Sequence, residues 1–187
     1  IVLNARRLAL NGDYDDEEWA KSSFNTMKII EGCGGRFNIE GFDTLRKLQA
    51  PVVFISNHMS TLETLVLPVL IVQFRKVTYV VKDKLCEGPV FGPIMRSRNP
   101  IAVGRKDPRQ DLATVLSEGK KLIESGYSII IFPQSTRRDV FRRDQFNSLG
   151  VKLAIHAGVD VVPIALKTDF WSNGKKHTGF GPIHRDR

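Results

Sequence analysis

Apolar positions along this chain fall into two kinds of run, and the two alternate. Short stretches rich in β-branched residues read as strands: Pro51 to Ser56 (PVVFIS), Val77 to Val81 (VTYVV), Pro100 to Val103, Ser128 to Phe132 (SIIIF) and Val159 to Leu166. Phe37 to Gly41 (FNIEG) reads as a weaker strand. Between them lie stretches with helical spacing. Asp15 to Glu31 opens on DDEE, which suits the positive end of a helix dipole, and stops at Gly32. Its Trp19, Phe24, Met27 and Ile30 form one uneven apolar stripe. Ser60 to Phe74 is an apolar helix carrying Pro68. Gln110 to Ser125 repeats Leu112, Val115, Leu116, Leu122 and Ile123 at helical spacing, with Gly126 after it. Asn147 to Ala157 is a further helix, closed by Gly158.

Strands alternating with helices predict a single α/β domain with a largely parallel central sheet and helices on both faces. Three segments are expected: an N-terminal helical segment (1–35), the main domain (36–170) and a polar C-terminal loop (171–187). Continuous apolar strands such as SIIIF are what a sheet covered on both sides requires. In such sheets ligands bind outside the carboxyl ends of the strands. Three predicted strands run into polar sequence there: Ser56-Asn57-His58, Gly104-Arg105-Lys106 and Pro133-Gln134-Ser135-Thr136-Arg137.

Composition narrows the partners. The 187 residues are 42% hydrophobic, enough for a packed core. Lys and Arg number 28 against 20 Asp and Glu, a formal net charge of +8, which favours an anionic partner. The arginines sit in separate loops and no helix-turn-helix, zinc-finger or RNP pattern occurs, so no nucleic-acid partner is expected. A basic anion- or nucleic-acid-binding domain without catalysis stands as the reading of a different class. Cys33 and Cys86 form no C-x-x-C pair and read as thiols of a reducing compartment. The histidines show no ligand spacing, and neither a metal nor a cofactor is expected. No G-x-S-x-G marks a serine hydrolase. The longest apolar run, Leu65 to Val72, is far shorter than the ~20 residues that cross a bilayer. IVLNARRLAL at the start lacks the apolar centre and cleavage site of a signal peptide.

The candidate chemistry centres on V-F-I-S-N-H-M-S-T-L-E, residues 53 to 63. On one continuous helix His58 and Glu63 would point well apart. They meet if His58 lies in the loop and Glu63 in the first turn of the next helix, and Ser60-x-x-Glu63 is a capping-box pattern that places a helix start there. A carboxylate that orients an imidazole leaves its other nitrogen as a general base. Taken singly, Glu63 also reads as a helix cap and His58 as a loop histidine bonded to backbone.

N-H-x4-E after a buried strand resembles motif I of the glycerolipid acyltransferase superfamily, the lysophosphatidic-acid acyltransferase group, whose usual form is N-H-x4-D. Residues 82 to 105 are similar to its second motif, with Lys82, Leu85, Gly92 and Arg105 matching. Residues 132 to 138 (F-P-Q-S-T-R-R) resemble the third motif, F-P-E-G-T-R-S: Phe132, Pro133, Thr136 and Arg137 match, whereas Gln134 and Ser135 replace Glu and Gly. Residues 161 to 166 (V-V-P-I-A-L) are similar to the fourth block. The resemblance spans about residues 36 to 167 with the blocks in the family's order.

The resemblance implies a glycerol-3-phosphate acyltransferase-like fold. It implies transfer of a fatty acyl group from acyl-CoA or acyl-carrier protein to the hydroxyl of a lysophospholipid such as 1-acylglycerol 3-phosphate, in phospholipid biosynthesis. A remodelling transacylase, or an enzyme for another lysolipid, is the alternative within the family. His58 would be the base and Glu63 its partner, with no covalent acyl-enzyme required. Arg105, Gln134, Ser135, Thr136 and Arg137 would bind substrate, Arg105 and Arg137 holding the acceptor's anionic group. Backbone N–H groups in the His58 loop or near Ser135 would stabilise the oxyanion. The helix from Ser60 to Phe74 and the segment Val90 to Met95 are candidates for an acyl groove. The protein would work at an anionic membrane surface on the cytoplasmic face, peripherally or through an anchor outside this chain. Trp19, Phe24 and Met27, with Arg138, Arg142 and Arg143, are candidate contacts.

Overall fold

The computed structural model describes residues 1–187 except 50, 135, 175–178, 180 and 186–187. Five strands form one sheet in the order β3-β2-β4-β1-β5: β1 (Val53–Ser56), β2 (Val77–Lys82), β3 (Ile101–Val103), β4 (Ser128–Ile131) and β5 (Val161–Ile164). Every pairing is parallel, with Phe54 opposite Ile130 on one side and Val162 on the other. The helices are α1 (Val2–Asn11), α2 (Asp16–Gly32), α3 (Phe42–Lys47), α4 (Leu62–Ile71), α5 (Lys84–Glu87), α6 (Phe91–Arg96), α7 (Pro108–Glu124) and α8 (Leu149–Ala157). The expected α/β architecture is what forms.

Side chains alternate across the sheet. Phe54, Val77, Tyr79, Val81 and Ile130 pack on one face with Ala5 of α1, Trp19 of α2, Leu67 and Ile71 of α4 and Ile94 of α6. Val53, Ile101, Val103, Ile129 and Ile131 pack on the other with Val115 and Ile123 of α7 and Leu153 of α8. The connections stepping from β1 to β2 and on to β3 carry their helices on the first face. Those stepping back to β4 and out to β5 carry theirs on the second. A single crossover hand demands this arrangement. The chain therefore turns opposite ways after the neighbouring strands β1 and β4, and a crevice opens outside their carboxyl ends.

Residues 37–41 are not a strand. Phe37 packs on a small cluster with Ile30, Leu62, Val66 and Phe170, but Ile39 is 43% exposed and the segment pairs with none of the five strands. Trp19 is no surface residue either. It meets Tyr79 edge-on at 6.0 Å, and the Arg98 guanidinium lies 5.1 Å from its ring centroid. Arg98 also pairs with Asp16 at 3.0 Å, tying α2 to the domain. The stripe on α2 thus buries Trp19 and Ile30 while Phe24 stays exposed. Among the described residues no helix is long and apolar enough to cross a membrane.

Candidate active site

The β1 strand ends at Ser56, and the chain turns through Asn57 and His58 before α4 begins at Leu62. Asn57 fixes that turn to the neighbouring strand end: its Nδ2 donates to the Leu166 carbonyl at 2.8 Å and its Oδ1 accepts the Leu166 N–H at 2.7 Å. The His58 N–H donates to Gln134 Oε1 at 2.7 Å, and the His58 carbonyl accepts the Arg138 N–H at 2.8 Å. The loop after β1 and the loop after β4 are thereby stitched together. The His58 ring stacks on Phe132 with centroids 4.2 Å apart.

His58 Nδ1 lies 2.9 Å from Glu63 Oε1. The Glu63 side chain is wholly enclosed, whereas that of His58 is 13% exposed. Half of the expected capping box forms, because the Glu63 carboxylate accepts the Ser60 N–H at 2.8 Å. The other half is shifted: the helix is capped at Thr61, and Ser60 Oγ accepts the Leu62 N–H. Burial alone would push the Glu63 carboxyl up. Donation from His58 and Thr168, the proximity of an imidazolium and the Ser60 hydroxyl outweigh it, so the group titrates below the usual carboxylate range. An ionised carboxylate can only accept. The proton therefore sits on Nδ1, and Nε2 carries the free lone pair.

Nearby amides are already committed. Met59 N–H donates to Glu63 Oε1 at 2.6 Å, alongside the Ser60 and His58 N–H bonds already given. The His58 loop, one of the two expected oxyanion sites, has no spare donor at these three positions. The other, near Ser135, lies outside the described residues, as does the substrate role expected of Ser135 itself.

A cavity of ≈ 1000 Å³ opens beside His58. Trp19, Ile30, Leu65, Phe91, Ile94 and Met95 give it apolar walls from α2, α4 and α6, and Lys82, Arg105, Arg137 and Lys152 give it cations. Both segments expected to form an acyl groove contribute walls to it. Arg105 adopts a left-handed backbone with φ 57, a conformation that costs a non-glycine residue about 1–2 kcal/mol. The Asp111 carboxylate holds it there, accepting the Gly104 N–H at 3.1 Å and the Arg105 N–H at 2.9 Å. Arg137 is half-buried; burial lowers its pKa, the Glu63 charge works against that, and it stays a cation.

The structure thus places His58, Arg105 and Arg137 on the walls of one cavity, with Glu63 enclosed behind His58. Gln134 does not share that wall. It is buried behind the loop, where its Oε1 supports the His58 N–H and its Nε2 has no hydrogen-bond partner among the described residues. That orphan donor costs about 1–3 kcal/mol, and it stands where the family motif has a second carboxylate oxygen. Thr136 is exposed on the loop, its N–H donating to the Gln134 carbonyl, and it is not a wall of the cavity. Asp111 and Thr168 support the site without having been singled out, and Asn57, the asparagine of N-H-x4-E, supports it through Leu166. Asp111 was legible only as an acidic residue in a first helical turn, and Thr168 gave no sequence signal.

The acyltransferase family model matches residues 36–167, and the chain belongs to that family. Over 149 residues it is 30% identical to the 1-acyl-sn-glycerol-3-phosphate acyltransferase of Pseudomonas aeruginosa, an alignment covering 80% of this chain and 55% of that protein. It is 27% identical over 156 residues to the 1-acyl-sn-glycerol-3-phosphate acyltransferase beta of Homo sapiens, covering 80% of this chain and 54% of the relative. The chain therefore spans about half the length of these relatives. The crystal structure of the 1-acyl-sn-glycerophosphate (LPA) acyltransferase PlsC from Thermotoga maritima shares the fold, with a TM-score of 0.58 at 19% identity over 81% of this chain and 57% of that one.

Proposed function

We propose that this chain carries the active site of an O-acyltransferase. It moves a fatty acyl group from a thioester donor, acyl-CoA or acyl-carrier protein, to the free hydroxyl of 1-acylglycerol 3-phosphate or a close relative. The observation that carries the reading is the His58–Glu63 pair, 2.9 Å apart, with His58 on the wall of a cavity lined by both apolar side chains and cations. The names of the relatives support the same chemistry.

His58 Nε2 takes the proton of the acceptor hydroxyl as that oxygen attacks the thioester carbonyl. Glu63 holds the imidazole in the required tautomer and stabilises the imidazolium. As the tetrahedral intermediate collapses, the C–S bond breaks and His58 returns its proton to the departing thiolate. The products are an ester and a thiol, with no covalent acyl-enzyme. Arg105 and Arg137 hold the acceptor's phosphate, a task suited to the planar guanidinium fork, and so place the hydroxyl. The apolar walls from α2, α4 and α6 take acyl chain. Contact with an anionic membrane surface on the cytoplasmic face runs through exposed Phe24 and the loop bearing Arg138, Val140, Phe141, Arg142 and Arg143, of which Val140 is 69% exposed.

The test is transfer of labelled acyl groups, from acyl-CoA and separately from acyl-carrier protein, to a panel of acceptors in vesicles. The panel holds lysophosphatidic acid, glycerol 3-phosphate, lysophosphatidylcholine and a lyso-aminolipid. Product with lysophosphatidic acid preferred is the expected result. Transfer only to acceptors without a phosphomonoester, or none at all, contradicts the reading. A companion prediction concerns Asp111. Asp111→Ala releases the strained Arg105 backbone, and KM for the phosphate-bearing acceptor should rise about three- to tenfold with kcat little changed. Steady-state kinetics on that acceptor checks it.

A further inference from the structure

The Glu63 carboxylate is surrounded by donors of two origins. His58 Nδ1 (2.9 Å), Met59 N (2.6 Å), Ser60 N (2.8 Å) and Ser60 Oγ (2.8 Å) all belong to the turn that leads into Glu63. They move with it. Thr168 is different: it lies 105 residues further on, and its Oγ1 donates to Glu63 Oε2 at 2.7 Å. Five residues later Asn173 Nδ2 donates to the Met59 carbonyl at 2.7 Å and to Asp139 Oδ1 at 3.0 Å. The chain after β5 thus grips both the carboxylate and the main chain of the turn that bears His58. Both residues lie beyond position 167, where the family match ends.

Glu63 is one methylene longer than the aspartate usual in the motif, which gives its carboxylate an extra torsion to restrain. A donor on the far oxygen, fixed to a different part of the fold, removes that freedom. We propose that Thr168 is a positioning residue for acyl transfer: its hydroxyl clamps Glu63 Oε2 so that Oε1 stays on His58 Nδ1, while Asn173 holds the turn. The proposal rests on the reading of His58 as the base.

Its consequence is a pH effect with a definite sign. The charged and titratable groups around Glu63 are His58 from its own turn, Tyr79 from β2 and Arg137 from the loop after β4. Asp139, Asp169 and His184 line a small polar cavity behind Met59 and Ser60. Burial and the Glu63 charge both push the Tyr79 phenol upward, so it stays neutral. None of these groups changes when the Thr168 hydroxyl is removed. Oε2 then loses a donor, the carboxylate holds a proton or an imidazolium more tightly, and the His58–Glu63 pair titrates at higher pH.

Three proteins decide the matter: wild type, Thr168→Val and Thr168→Ser, each as the full chain. Thr168→Val should lower kcat about 10- to 100-fold with KM for donor and acceptor unchanged, the loss typical of a hydrogen bond to a charged group. The His58 imidazole NMR titration midpoint should move up. Thr168→Ser, which keeps the hydroxyl, should restore both. The proposal is overturned if Thr168→Val leaves the midpoint where it was, whatever happens to kcat, or if Thr168→Ser behaves like Thr168→Val. Full transfer by His58→Ala would sink the catalytic reading instead, while the titration midpoint still reports on the clamp.

Discussion

His58→Ala should cut acyl transfer by about 10²- to 10⁴-fold, the usual worth of a positioned general base. The loss follows from the tautomer. Glu63 is ionised and enclosed, so it binds the Nδ1 proton and leaves Nε2 as the basic nitrogen at the cavity. Alanine removes that nitrogen and leaves the acceptor hydroxyl without a partner able to take its proton. The fold should survive, because the contacts that fix the loop use the main chain of His58, whose N–H meets Gln134 and whose carbonyl meets Arg138. Structurally the protein loses the ring's stack on Phe132 and the Nδ1–H donor to Glu63 Oε1, while that carboxylate keeps its Met59, Ser60 and Thr168 donors. Unchanged circular dichroism beside a collapsed kcat is the expected pair of observations.

Glu63→Gln should cost about 10²- to 10³-fold in kcat, because loss of the charge weakens control of the tautomer and stabilisation of the imidazolium. The amide also fits badly. Oε2 now accepts from Ser60 N, Ser60 Oγ and Thr168 Oγ1, and an NH₂ group in that place would face donors. Turned the other way, it would face the His58 Nδ1–H. Stability should change as well, with a sign set by the depressed carboxyl of Glu63. A carboxyl that titrates lower in the folded state stabilises the protein above its unfolded pKa of about 4.3 and loses that contribution as pH falls through the folded value. Urea midpoints at about pH 6 and about pH 3 should therefore differ less for Glu63→Gln than for wild type. A variant as acid-sensitive as the parent would show that Glu63 is not the linked group.

What the sequence revealed of this fold depended on how local the cause was. Ser128–Ile131 was legible because a central strand buried on both faces runs apolar on consecutive positions, and Ile129, Ile130 and Ile131 are all at or near zero exposure. The helix over Gln110 to Ser125 was legible from its stripe, and α7 extends it back to Pro108 behind an Asp107 cap. His58 and Glu63 could be paired because a strand end, a loop and a helix start fix their relation within eleven residues of sequence. Residues 37–41 misled because alternation alone does not supply a neighbouring strand to pair with. Trp19 misled because a one-dimensional stripe does not say whether it faces Tyr79 or lipid.

Gln134 shows a different limit. The third motif marked its position but not which way it faces, and the side chain turns inward to the His58 N–H rather than out to the cavity. Thr168 and Asn173 lay beyond reach for the same kind of reason. Their contacts to Glu63 and Met59 join residues more than a hundred positions apart, and a threonine and an asparagine in a polar loop look like any others.

The most direct test of His58 as the base is the rate of lysophosphatidic acid acylation from acyl-CoA, measured for wild type and His58→Ala from about pH 5 to about pH 9. Wild type should rise through one ionisation to a plateau as the imidazole becomes neutral, while His58→Ala stays low and lacks that ionisation. A His58→Ala protein with the wild-type rate and the same pH profile would contradict the mechanism, and the proton would have to be taken by another group.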